Sequence, residues 1–138
     1  VTLVEGRAEA LPLPDACADF LSMGYALRHV GDLAAAFDEF RRVLKPGGIV
    51  CLLEITRPAT RWGQRLLKSY MRGVVPALAR CVARHADTPR LMRYYWDTVE
   101  HCVPPERVLS TLEQAGFADA RRHVEAAIFS EYLAHRSV

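Results

Sequence analysis

Between Asp19 and Ile55 the sequence sets down, within 37 residues, an apolar run, a helical pattern, a glycine pair and a second apolar run. No other feature limits the fold so tightly. Asp19–Gly24 has the length of a buried strand, interrupted only by Ser22. Asp32 suits a helix N-cap, and Leu33, Phe37, Phe40 and Val43/Leu44 then recur on one helical face. Asp38 and Glu39 precede Arg41, Arg42 and Lys45, the order that the helix dipole favours. Pro46 stops the pattern, Gly47-Gly48 allow a tight reversal, and Ile49–Ile55 is apolar apart from Glu54. Strand, helix, turn and strand make a βαβ unit, whose strands are parallel and covered on both faces.

Around this unit, Val1–Glu5 reads as the end of a strand, and Ala10–Asp15, "ALPLPD", as a proline-punctuated loop. A helix is expected from Arg61 to Leu78, bent or ended by Pro76. Its apolar face carries Trp62, Leu66, Leu67, Tyr70, Met71, Val74 and Leu78. Arg61, Arg65, Lys68 and Arg72 form a stripe opposite. A last helix follows "VPPE", with Pro105 near its first position and Gly116 beyond its end. Phe117 then packs back on it, and closing strands begin at Ala120.

Length and charge narrow the function classes. The 138 residues fit one domain, and no apolar run reaches the ~20 residues of a membrane span. Cys17, Cys51, Cys81 and Cys102 are scattered without a CxxC pair, as expected for reduced, cytoplasmic thiols. Net charge is +2, yet nine basic residues between Arg57 and Arg93 face Asp87 alone. Such a block favours anionic surfaces. No aromatic residues interleave with the stripe in the manner of a nucleic-acid reader, so nucleic acid is not an expected partner. Asp97, Glu100 and His101 share a helical face, and Cys81 and His85 are similarly spaced. Without further ligands these read as surface clusters, and no metal is expected.

In an open parallel sheet, ligands bind beyond the carboxyl ends of the strands. "YALRH" leaves such an end, and Glu54 sits near the next. Arg7, Glu9, Tyr25, Arg28, His29 and Glu54 are therefore expected around one crevice. Each also has a plainer reading: Arg28 paired with Asp32 or Glu54, Tyr25 a core aromatic, His29 a solvent-exposed flank.

The stretch "GRAEALPLPDACADFLSMGYALRHVGDLAAAFDEFRRVLKPGGIVCLLEITRP" resembles class I S-adenosylmethionine-dependent methyltransferases. It is similar in particular to the ubiquinone/menaquinone biosynthesis C-methyltransferase family. "LKPGG" marks the class in general, whereas "ALPLPD", "ALRHV" and "EITRP" together point to the quinone-methylating branch. "LMRYYWDTVEHCVPPE", "AGF" and "IFSEY" extend the likeness to nearly the whole chain.

The resemblance implies an α/β fold: the C-terminal part of a Rossmann-like sheet, parallel strands with a terminal reversed hairpin, plus a helical insertion over residues 57–100. It implies that 1–138 is a partial methyltransferase domain, a fragment whose partner is the missing N-terminal half. That half carries the family's glycine-rich cofactor loop, and no GxGxG occurs here. The chain alone is expected to be inactive. The cofactor implied is S-adenosyl-L-methionine, beside Arg7, Ala8, Met23, Gly24 and Tyr25. Arg7 stands where the family has an acidic residue for the adenine amine, and an arginine cannot accept that hydrogen bond.

Arg28 and His29 match an Arg-Asn pair at the acceptor and are the expected catalytic residues. Arg28 would steady a phenolate and His29 take its proton. The expected acceptor is a prenylated quinol precursor, walled by Tyr70, Tyr94, Tyr95 and Trp96, with peripheral membrane contact through 57–84. Another small apolar acceptor, or a non-catalytic half-domain that only binds, stays open at this point.

Overall fold

The computed structural model describes residues 1–58, 60–77, 94, 97, 99 and 102–138. Strand β1 (Ala18–Gly24) leads through a 3-10 turn (Leu27–His29) into α1 (Leu33–Val43) and β2 (Leu44–Ile55). Helix α2 (Arg61–Ser69) continues into a π-helical segment (Tyr70–Val74), and α3 (Pro105–Gln114) precedes the hairpin β3 (Phe117–Glu125) and β4 (Phe129–Arg136). The four strands form one sheet in the order β1-β2-β4-β3. β1 and β2 are parallel, while β4 runs antiparallel to both β2 and β3. This is the expected α/β arrangement, a βαβ unit ended by a reversed hairpin.

Local chemistry sets most boundaries where the residues place them. Asp32 caps α1, its carboxylate accepting from the Ala34 and Ala35 N–H groups at 3.0 and 3.2 Å. Gly47 turns with φ +77°. Lys45–Gly48 fall between two pairings, Ala18 with Leu44 and Phe20 with Ile49, so the turn is a bulge inside β2. Gly116 has φ +83°, and a Cβ there would lie 3.0 Å from the Arg41 guanidinium. The π-helical segment ends in a bond from Val75 N–H to Tyr70 C=O, just before Pro76. Its wider turn precedes the proline that can donate no bond of its own.

The core lies on one face of the sheet. Phe37 and Phe40 of α1, Val108 and Leu112 of α3, and Val50, Leu52, Tyr132 and Ala134 of the strands pack together there. Two expectations are corrected. Val1–Glu5 forms no strand: Val1, Leu3 and Val4 are exposed, and the backbone has no neighbouring strand to pair with. Among the described residues, helices cover one face rather than both. The crossover from β1 to β2 puts α1 on one side, and α3 joins the same core. The opposite face shows Phe20 and Phe129 to solvent among the described residues.

Candidate functional site

The carboxyl ends of β1 and β2 bring the predicted residues together, but into two recesses rather than one crevice. Arg7, Ala8, Glu9, Met23, Ala26 and His29 line the first, a hollow of about 250 Å³. Tyr25 and Glu54 line the second, of about 370 Å³, with Leu53, His123, Phe129 and Glu131. The segment Tyr25–His29 is the ridge between them.

Tyr25 is the strained point of that ridge. Its φ is +57°, a region in which a bulky side chain is a genuine outlier, and such strain gathers at functional sites. Three bonds hold it. Its N–H donates to the Leu53 carbonyl at 2.7 Å. Its carbonyl accepts from Arg28 Nε at 3.3 Å and from a terminal nitrogen of the same guanidinium at 3.1 Å. Arg28 in turn lies 3.4 Å from Glu54, with side-chain exposures of 8% and 0%. Glu54 also accepts from the Arg28 N–H at 3.3 Å and the Ile55 N–H at 2.8 Å. The plainer sequence reading of Arg28 thus holds as far as its partner goes. His29 is exposed and faces the first recess.

The first recess is an open hollow whose rim is the Gly6-Arg7-Ala8 turn. Gly6 precedes it where a Cβ would meet Pro12 at 2.6 Å, so only glycine allows the "ALPLP" loop to close on the Gly6-Arg7-Ala8 turn. Arg7 is largely exposed and lies 3.6 Å from Glu9. Glu9 accepts from the Gly31 N–H at 3.0 Å, tying the rim to the start of α1. Its own backbone N–H, with those of Gly31 and Asp32, holds its carboxyl below the usual range. Glu39 ties the same loop from α1, accepting from the Leu11 N–H at 2.7 Å. Arg42 holds the Glu39 carboxyl low by a direct hydrogen bond.

Both carboxyls are depressed in the folded state. The stability they add is complete above the ordinary carboxylate pKa and is lost as pH falls through their folded values. Glu39→Gln should therefore flatten the acid limb of the stability curve, read by circular dichroism from neutral pH downward. An unchanged acid limb would remove Glu39 from this role.

Behind Glu54 lies a polar cluster that sequence reasoning missed. Thr56 and Ser130 hydroxyls lie 2.7 Å apart, and Arg122 donates to both, at 3.1 Å to Thr56 and at 2.9 and 3.0 Å to Ser130. The Tyr132 hydroxyl, at 0% residue exposure, makes no hydrogen bond of ordinary geometry, and the Ser130 hydroxyl near it is already engaged by Thr56 and Arg122. Removing it leaves no partner unsatisfied, so Tyr132→Phe should be neutral or stabilise the fold by up to about 1 kcal/mol. Urea unfolding checks this, and a loss above about 1 kcal/mol would mean that the hydroxyl has a partner. Cys102 lines the adjoining cleft of about 540 Å³. Burial, then the Glu54 charge, push its thiol up, which disfavours a nucleophilic role. Arg122 sits in a segment without a motif, and Thr56 lies within "EITRP" without a role of its own there; the only signal was Glu54 inside an apolar strand.

Tyr70 and Tyr94 are both exposed, whereas Tyr95 and Trp96 lie outside the described residues. Glu100, His101, Cys81 and His85 lie outside them too. Among the described residues there is no group of three or more metal-ligating side chains. No described helix is long and apolar enough to cross a membrane.

A βαβ unit with a reversed hairpin, and a strained ridge at the carboxyl ends of its parallel strands, can be compared with known proteins. The profile of the ubiE/COQ5 methyltransferase family matches residues 1–132. The chain belongs to the ubiE/COQ5 methyltransferase family.

It is 35% identical over 117 residues to the ubiquinone/menaquinone biosynthesis C-methyltransferase UbiE of Caulobacter vibrioides, covering 85% of this chain and 45% of that protein. It is 32% identical over 123 residues to the demethylmenaquinone methyltransferase of Staphylococcus saprophyticus, covering 88% and 51%. The chain thus spans about half the length of the curated relatives it matches. In structure it resembles an S-adenosylmethionine-dependent methyltransferase of Thermotoga maritima, with TM-score 0.66, 18% identity, and coverage of 99% of this chain and 65% of that one. Human N-acetylserotonin methyltransferase, solved in complex with S-adenosylmethionine, superposes with TM-score 0.61 and 20% identity, covering 98% and 33%. Family and fold are those of S-adenosylmethionine-dependent methyltransferases.

Proposed function

We propose that this ubiE/COQ5 family chain is the acceptor-side half of a C-methyltransferase acting on a prenylated quinol precursor. The observation that carries the reading is the joint one: the family match over residues 1–132 and a strained Tyr25–His29 ridge at the carboxyl ends of β1 and β2.

S-adenosylmethionine would supply an electrophilic methyl group. Arg7, Ala8 and Met23 of the first recess would form one wall for it, with Gly24 and Tyr25 following at the end of β1. His29 takes the phenolic proton, directly or through water, which makes the neighbouring ring carbon nucleophilic. Arg28 holds the Tyr25 carbonyl and adds positive potential toward the phenolate. Tyr70 and Tyr94, with Tyr95 and Trp96, would wall the ring. Most of the acceleration then comes from alignment of donor and carbon.

No glycine-rich cofactor loop occurs in the 138 residues, so this chain alone is inactive in our reading and is completed by the other half of the domain. The deciding assay incubates the chain, alone and with that half restored, with S-adenosylmethionine and a demethylmenaquinol, and reads product mass. A ring-methylated product from the restored domain supports the proposal. Turnover of other apolar phenols but not the quinol would shift the acceptor. No turnover of any acceptor would leave a binding module.

Peripheral contact with a membrane through 57–84, of which 59 and 78–84 lie outside the described residues, belongs to the same reading. Trp62 and Leu66 are 80% and 72% exposed along α2, beside exposed Arg61, Arg65, Lys68 and Arg72. Binding to anionic vesicles should fall at least about tenfold when these four basic residues become glutamine, since each cation near such a surface contributes about 1 kcal/mol. Equal sedimentation of variant and parent would reject the contact.

A further inference from the structure

Two alanines sit where the backbone asks for other residues. The turn Glu125–Ile128 is closed by the Ile128 N–H donating to the Glu125 carbonyl at 3.2 Å. Its central residues, Ala126 and Ala127, have φ of 48° and 61°. Positive φ at both central positions is the demand of a type I′ turn, for which Asn-Gly is the favoured pair. An alanine methyl is strained there. A turn built from disfavoured residues invites the question of what their side chains do.

Both alanines line a groove. Ala126, Ala127 and Ile128 form one bank; Leu66, Leu67 and Tyr70, on α2 and the π-helical segment after it, form the other. Pro58 and Gly63 complete a space of about 510 Å³. Among the described residues its polar side chains are those of Tyr70 and Thr60, and the Thr60 hydroxyl already accepts from the Gly63 N–H at 3.1 Å. An Asn-Gly pair would put an amide and bare backbone into this lining; Ala-Ala keeps it apolar. The groove is also continuous with the site. It shares Pro58 and Ala127 with the cleft that Thr56 and Arg122 line. Ile128 accepts the Thr56 N–H at 2.8 Å, and the next residue, Phe129, lines the recess under Tyr25.

We infer that the groove between α2 and the Ala126–Ala127 turn holds the isoprenoid tail of the acceptor, and that the alanine pair keeps it apolar at the expense of turn stability. The inference rests on the prenylated-quinol reading above. A tail needs a mostly apolar trough open along its length and joined to the ring site. Leu66, largely exposed, supplies the open side.

The test separates tail from ring by using prenyl alcohols, which have no ring to methylate. Farnesol and geranylgeraniol would displace a dansyl-geraniol probe from the intact enzyme. Geranylgeraniol should win by at least about tenfold, since each buried methylene is worth roughly a factor of four. The double variant Ala126→Asn/Ala127→Gly should raise the urea midpoint yet weaken farnesol at least about tenfold. Leu66→Ser, on the exposed helix surface, should weaken farnesol without lowering the midpoint. Unchanged farnesol affinity in both variants, or no displacement while the quinol is still methylated, would overturn the groove and leave the methyltransferase reading intact. Displacement with the expected losses, but no methylation of the quinol, would support the groove and sink the acceptor.

Discussion

Glu54→Ala is expected to lower the free energy of unfolding by about 3–5 kcal/mol. Glu54 is 1% exposed and satisfies three donors: the Arg28 guanidinium, the Arg28 N–H and the Ile55 N–H. Truncation leaves a buried cation facing a cavity and two amides without an acceptor. Each of these losses is costly because water does not replace the partner. Glu54→Gln keeps an acceptor oxygen and the volume, so it should cost about 1–2 kcal/mol. Urea unfolding of the two variants reads the difference directly. A loss below about 1 kcal/mol for alanine would mean that water reaches the pair and that its burial has no energetic weight.

Arg28→Lys is expected to reduce methyl transfer in the intact enzyme about a hundredfold, with stability falling far less than in Glu54→Ala. Lysine keeps a charge for Glu54 but cannot place two nitrogens on the Tyr25 carbonyl as the guanidinium fork does. The ridge at φ +57° would then relax, and a misplacement of about 1 Å at a reacting centre can cost about a hundredfold. The signature is a fall in kcat with KM for the acceptor nearly unchanged. A rise in KM alone would make Arg28 a binding residue, and a loss of stability equal to that of Glu54→Ala would make it purely structural.

Much of the fold was legible because its signals are local. The Asp32 cap, the Leu33/Phe37/Phe40 spacing and Gly116 after α3 each state a boundary through their own chemistry. The face that the described helices leave bare was not legible, since an apolar strand reads the same whether or not a helix covers it. Val1–Glu5 misled for the same reason: strand-forming residues need a neighbour that the five residues cannot reveal. Site geometry was half legible. Glu54 in an apolar strand and Arg28 after β1 announced a pair, while the strain at Tyr25 and at Ala126–Ala127 gave no notice. Left-handed backbone is foretold by glycine or asparagine, and neither stands there. Arg122, Thr56 and Ser130 meet across 66 and 8 positions of sequence, a separation no spacing rule can read.

The sheet order β1-β2-β4-β3 has a consequence for hydrogen–deuterium exchange. β2 and β4 have neighbours on both sides, so every amide along their paired stretches should be slow to exchange. Among the described residues β1 bonds to β2 alone, and in a parallel ladder successive residues point their N–H groups to opposite sides. Its amides between Asp19 and Gly24 should therefore alternate, one protected and the next open to solvent. Any strand that came to lie beside β1 would erase the alternation residue by residue. The exchange rates of six amides thus report whether that flank of the sheet is occupied, without any knowledge of what occupies it.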